Sequence, residues 1–244
     1  MPVVATLFSV FASVHRGFAP PAPGQVDTDA EEAVNWEAGV RYSGMGVDAA
    51  VTGFYNDFSN FIGSCTASTG GGCVIGDQFD GGEVDVMGIE ASFAGDLAPA
   101  LGARGVSLPW SLAYTYTDAE FETAFESDFG PWGEVAAGDE LPYVPEHQLT
   151  ARFGLETDRW GADALMSWVD EARASAGQGP IAADERIEDR VVVDLSGHVN
   201  VGENVRLTAS VQNAFDETYA VSRAPAGLRP GLPRTAMIGL TLDY

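Results

Sequence analysis

The chain has 244 residues, with 12 Lys+Arg against 36 Asp+Glu, for a formal net charge of −24. Phosphate binding draws on Lys and Arg to release counterions, so this balance excludes a nucleic-acid partner. Apolar residues make up 45% of the chain, too many for a charge-solvated disordered segment. It offers no apolar run of about 18 residues for a membrane-spanning helix. Two classes are left: a closed β-barrel in lipid, or a soluble all-β domain.

Strict alternation of apolar and polar residues, the mark of strands, starts at once. The opening "MPVVATLFSVFASVHRGFAPP" has an apolar stretch, but no basic residue before it and no small-x-small cleavage site after it. It therefore reads as a strand over 8–16 and not as an export signal. Next, Val34, Trp36, Ala38, Val40 and Tyr42 face one way, and Asn35, Glu37, Gly39 and Arg41 the other. Weaker alternation covers 47–56 and 87–93. Leu108, Trp110, Leu112, Tyr114 and Tyr116 form the next apolar set, then Leu149, Ala151, Phe153 and Leu155. A weaker strand follows at 162–168, then Val191, Val193 and Leu195, then Val205, Leu207, Ala209 and Val211. The last strand sets Ala236, Ile238, Leu240, Leu242 and Tyr244 on its apolar side. The sum is about ten strands, each near the length that crosses a bilayer at a tilt.

The connections alternate in length. Those at 19–33, 58–82, 118–146, 171–188 and 218–234 are long; those at 43–45, 157–160 and 200–204 are short, and 96–105 is intermediate. A soluble sandwich has no reason to gather its long loops at one end, whereas an outer-membrane barrel has short periplasmic turns and long extracellular loops. Trp36, Tyr42, Trp110, Tyr116, Trp160, Trp168 and Tyr244 fall near strand ends, where interfacial girdles sit. In this reading Glu37, Arg41, Glu90, Arg152, Glu156, Asp194 and Arg206 line the lumen, with Arg152 set for a pair with Glu37 or Asp194. Cys65 and Cys73 have no His at metal-ligand spacing. A local disulfide, worth about 2–3 kcal/mol for so short a loop, is the first reading and two thiols the alternative.

Several stretches, taken in order, resemble TonB-dependent outer-membrane receptors: "SVHRGFAPPAPG", "EEAVNWEAGVRY", "GEVDVMGIEASF", "LAYTYTDAEF", "LPYVPEHQLTARFGL", "SVQNAFDETYA" and "RPGLPRTAMIGLTLDY". Within that family, "FYNDFSNFIGSCTASTGGGC", "SDFGPWGEV" and "AGQGPI" resemble the iron(III)-dicitrate branch. The resemblance implies an all-β, antiparallel transmembrane barrel, with residues 1–244 as about ten C-terminal strands of a barrel of about 22. It also implies a plug domain, here absent, through which TonB acts. The implied function is uptake of a ferric chelate, ferric citrate or a siderophore, across the outer membrane. The alternative is a small self-closed barrel serving as a pore or adhesin.

Enzyme motifs are missing: there is no Gly-x-Ser-x-Gly, phosphate loop or His-Glu-x-x-His. His15, His147 and His198 fall on different strands or strand ends, and His147 marks the start of one. No cofactor or resident metal is expected. For an anionic chelate the expected donors are guanidinium groups, which match carboxylates in a bidentate way. Of the basic residues at the long-loop end, Arg16, Arg173 and Arg223 come first, ahead of Arg186, Arg229 and Arg234, each against the plainer alternative of an ion pair with the acidic loops. The 118–146 connection is acidic without one Lys or Arg, a rim that repels citrate and suits cations bridging to lipopolysaccharide.

Overall fold

The protein is described from a computed structural model covering residues 7–24, 28–69, 73–224 and 227–242; the expectation for Tyr244 lies outside these residues. Ten long strands form the wall: β1 (Leu7–Ala19), β2 (Glu31–Gly44), β3 (Val47–Asn60), β4 (Val84–Asp96), β5 (Pro109–Phe121), β6 (His147–Thr157), β7 (Trp160–Val169), β8 (Arg190–Asn200), β9 (Val205–Gln212) and β10 (Thr235–Leu242). Each pairs antiparallel with the next, so chain order is also spatial order. Among the described residues β1 pairs only with β2 and β10 only with β9, which leaves the sheet a partial, unclosed barrel. The small self-closed barrel is therefore not favoured.

Register explains why alternation was so clear. Direct partners run in one unbroken row from Val40 through Val51, Ala91, Tyr114, Leu149 and Trp168 to Val191. The neighbouring row, on the other face, is Arg41, Ala50, Ser92, Ala113, Thr150, Ser167 and Val192. A one-residue slip of any strand would move its apolar set to the polar face, so the register is strongly specified. Among the described residues no second layer covers the apolar face: Val10 is 71% exposed and Ile238 88%. That is the surface of a sheet solvated by hydrocarbon, not one packed in a sandwich.

Aromatic groups form two belts on this outer face. Toward the long-loop end, Trp36 stacks on Tyr55 at 5.4 Å, and His147 lies 5.3 Å from Tyr116 and 6.3 Å from Trp168. His147 does open β6, and its Nδ1 is 2.9 Å from the Tyr114 hydroxyl. Toward the short-turn end sit Tyr42, Phe93, Trp110 and Phe153, with Trp110 paired directly to Phe153.

The short turns are locally determined. Between the partners Gly44 and Val47, Met45 (φ 51) and Gly46 (φ 76) are both left-handed, the geometry of a two-residue hairpin turn that matches strand twist. The longer 97–108 turn is tied by Asp96: Ser107 Oγ donates to Oδ2 at 2.6 Å, and the Leu108 and Ala98 N–H groups donate to Oδ1 at 2.8 Å. These donors, Ser107 first, hold the Asp96 carboxyl below its ordinary pKa.

Two features differ from the sequence expectation. The strands run past the alternating stretches: 47–56 extends to Asn60, and 87–93 becomes Val84–Asp96. Above the aromatic belt the outer face turns polar, with Asp57, Asp85 and Glu120, while the inner face packs Val84, Ala119 and Phe121 under the loops, so the pattern breaks while the backbone ladder continues. The long loops are also built, not coil. Ile62–Ser64 pairs with Gln78–Asp80, Phe125–Glu126 with Glu134–Val135, Ala172–Arg173 with Arg186–Ile187, and Ala220–Ser222 with Arg229–Pro230. Four miniature hairpins thus cap the wall. The buried apolar core sits among them and at the strand ends: Val84, Ala119, Phe121, Phe129, Trp132, Val135 and Leu141.

Candidate functional site

The inner face of the wall is polar or small. Glu37, Arg41, Glu90, Arg152, Glu156, Asp194 and Arg206 share it by register. Arg152 does not reach for Glu37 or Asp194; its Nε donates to Asp163 Oδ1 of the adjacent strand at 2.8 Å. Arg206 donates to Asn200 at 2.8 Å, and His198 lies 3.2 Å from Glu156. Neighbouring strands satisfy the two guanidinium groups, because a guanidinium reaches a partner across one ladder more easily than it spans a lumen. Midway along the wall Phe11, opposite Gly39, and Phe54, opposite Gly88, also face inward. A Cβ on Gly39 would meet the Phe11 ring at 2.6 Å, so the glycine is what lets the ring lie flat. The Arg41 guanidinium stacks on that ring, 4.3 Å from its centroid.

At the loop end Trp132 organises the cap. Its ring lies 4.8 Å from Phe129 and 5.7 Å from both Phe121 and Phe125, all edge-to-face. Gly63 and Gly81 of the β3–β4 loop pass beneath it, each so close that an added Cβ would come 2.6 Å from the indole. Above this cluster opens a cavity of about 360 Å³. Its walls come from three loops: Phe61 and Thr69 from β3–β4, Trp132 and Tyr143 from β5–β6, and Ser222 and Arg229 from β9–β10. Among the described residues lining it, Arg229 carries the only charge. Loops rooted at opposite sides of the sheet meet here because the sheet curves. The β3–β4 wall is braced by a disulfide between Cys65 and Cys73, Cα atoms 6.1 Å apart, with Cys65 buried.

The three arginines placed first by sequence are not brought together at this cavity. Arg16 shares the outward face with Val10 and Val14 and pairs with Glu32 on β2. Arg173 is 4% exposed; its Nε donates to Glu140 at 2.8 Å and a terminal nitrogen to the Gly179 carbonyl at 3.0 Å. Arg223 donates to the carbonyls of Arg186 at 2.7 Å and Ala183 at 2.8 Å. Arg173 and Arg223 therefore fasten one loop to the next, and Arg234 is paired with Asp216 at 3.2 Å. Arg229 is the one that meets the cavity. The parity of Arg16 with Phe8, Val10, Ala12 and Val14 was a usable signal for its outward direction; Trp132 and Tyr143 fall in "SDFGPWGEV" and "LPYVPEHQLTARFGL", stretches that carry the family resemblance without marking either residue as part of a site.

The rim is acidic in a specific way. Asp57, Asp85, Glu120 and Glu140 are direct partners on successive strands, above the aromatic belt. Burial first, then the charges of Asp118, Glu122 and Glu140, push the Glu120 carboxyl above its ordinary pKa.

Comparison with known proteins completes the picture. A family model described as TonB dependent receptor-like, beta-barrel, matches residues 4–214. The metal-pseudopaline receptor CntO of Pseudomonas aeruginosa is 29% identical over 248 residues, covering 96% of this chain and 31% of that protein. The ferrienterobactin receptor of Escherichia coli is 25% identical, covering 80% of this chain and 25% of that protein. The ferric citrate transporter FecA in its unliganded form superposes with a TM-score of 0.74 at 21% identity, over 97% of this chain and 36% of that one. The closed form of the ferric-catecholate import receptor Fiu from E. coli gives 0.70 at 20% identity, over 97% and 33%. This chain spans between a quarter and just over a third of the length of these proteins. With the exposed apolar face, the aromatic belts and the loop-end cavity already in view, the match places it in the outer membrane of Gram-negative bacteria: the chain belongs to the TonB-dependent receptor β-barrel family, a family of transport receptors.

Proposed function

We propose that residues 1–244 are the C-terminal wall of a receptor that takes up a ferric chelate across the outer membrane, with the plug domain and its TonB contact in the rest of the receptor. The carrying observation is the cavity at which three loops from distant strands converge over an aromatic floor, with a single guanidinium. Such a site binds by shape and apolar contact with a few placed polar groups. Capture by the loops, rearrangement of the plug and passage along the polar inner wall move the ligand without chemistry on it. Arg173 and Arg223 contribute by fixing the loops that frame the cavity, the Cys65–Cys73 bridge by stiffening one wall, and Arg16 by pairing at the outer rim, where lipopolysaccharide is the neighbour.

Between the two chelate classes, the cavity suits an aryl-bearing siderophore better than ferric citrate. A polycarboxylate complex would meet a single arginine in the cavity, with the acidic 118–146 connection beside it, a field that repels it. The names of relatives support both classes. The test is radio-iron uptake by iron-starved cells with and without the gene, over a panel of ferric siderophores and ferric citrate. A gene-dependent, TonB-dependent loss for an aryl-bearing chelate is expected. Uptake unaffected by the gene across the panel would refute the proposal.

A further inference from the structure

Tyr143 has a φ of 64°, in the left-handed region that a bulky side chain adopts at a cost. The other described non-glycine residues there are Asn213 and Asp216, of the short polar type that tolerates it, and Met45 in its tight turn. Tyr143 is held by the backbone: its N–H donates to the Arg173 carbonyl at 2.8 Å, on the strand pair that Glu140 anchors. That role needs an amide and a left-handed residue; it does not need a phenol. Yet the ring lines the loop cavity, and its hydroxyl lies 3.5 Å from Ser222 Oγ on the facing loop. Asparagine or glycine would serve the backbone at lower cost.

We infer that Tyr143 is a ligand-contacting residue that sets the site's preference for a chelate with aryl faces. The ring offers a stacking surface, the hydroxyl donates to a chelate oxygen, and Arg229 across the cavity meets the residual negative charge. The inference rests on the cavity being the chelate site, as proposed above.

The test uses the complete receptor that contains this chain, in detergent micelles, with two probes: the ferric complex of dihydroxybenzoate and ferric dicitrate. Binding is read from quenching of tryptophan fluorescence, and stability from the denaturant midpoint, for the wild type, Tyr143→Asn and Tyr143→Phe. Tyr143→Asn should keep or raise the midpoint, since it relieves the backbone, while binding the dihydroxybenzoate complex roughly 10-fold more weakly. Tyr143→Phe should fall between, having the ring without the hydroxyl. If Tyr143→Asn binds like the wild type, or unfolds at a lower midpoint, the residue is structural and the inference is overturned while the receptor reading stands. If the wild type binds neither probe, the assignment of the cavity fails and takes the inference with it.

Discussion

Removing the Trp132 side chain should dissolve the loop cap and leave the wall intact. Trp132 is 5% exposed, with Phe121, Phe125 and Phe129 edge-to-face around it and Phe61 at 6.2 Å. Truncating a buried Trp to Ala costs about 3–5 kcal/mol, and the lower end applies because one side of the new void opens to the cavity and fills with water. Gly63 and Gly81 beneath the ring carry no side chain that could collapse into the space. A local loss of about 3 kcal/mol corresponds to on the order of 100-fold weaker protection of loop amides from hydrogen exchange. The Ser127 and Trp132 amides, bonded to Gly133 and Phe129 carbonyls, are the reporters, and those of β7–β9 the control. A Trp132→Ala chain whose loop amides lose less than about 10-fold protection, or whose wall amides lose as much as the loops, would refute a separate cap core.

Three further outcomes follow from the wall and rim. Leu195→Arg, mid-strand on the outer face, should cost roughly 2–4 kcal/mol in denaturant unfolding from liposomes, whereas Ser196→Arg, one residue on and facing inward, should cost little; equal costs would mean the outer face does not meet lipid. Gly39→Val should destabilise by about 1–3 kcal/mol through overpacking, because the new group meets the Val51 carbonyl and the Phe11 ring, and thermal midpoints report it. Glu120→Gln should stabilise the chain by roughly 0.2–1 kcal/mol at neutral pH by removing one like charge from the carboxylate row. Because the folded pKa of Glu120 is raised, the wild type recovers this stability as pH falls through that pKa and fully below the unfolded value of about 4.3, so the two unfolding curves should converge in acid.

The wall was legible in the sequence because its rule is local: period two, tested against water or lipid at every residue, with loop lengths giving the orientation. Where that rule stops, so did the reading. Phe121, Phe125 and Phe129 stand four apart, a helical spacing in a segment that forms no helix, Phe61 and Trp132 fall outside it, and only the convergence of separate loops makes the five one core. Phe11 and Phe54 contradict the polar inner face until register sets each against a glycine. The arginines show the same limit. Composition said that guanidinium groups were scarce and close to acids, but whether Arg173 meets a ligand or Glu140 depends on a residue 33 positions away. Arg229, the one facing the cavity, looked like its neighbours.

The cavity's walls stand on β3–β4 at one side and β9–β10 at the other, so its existence reports the bend of the whole ribbon. A polypeptide with every ladder zipped but a flatter arc would be accepted by the bilayer and still lack the cavity. Lodging in the membrane and assembling the loop cavity are therefore two milestones of maturation, and a lesion in the floor of the arc can spare the first while abolishing the second.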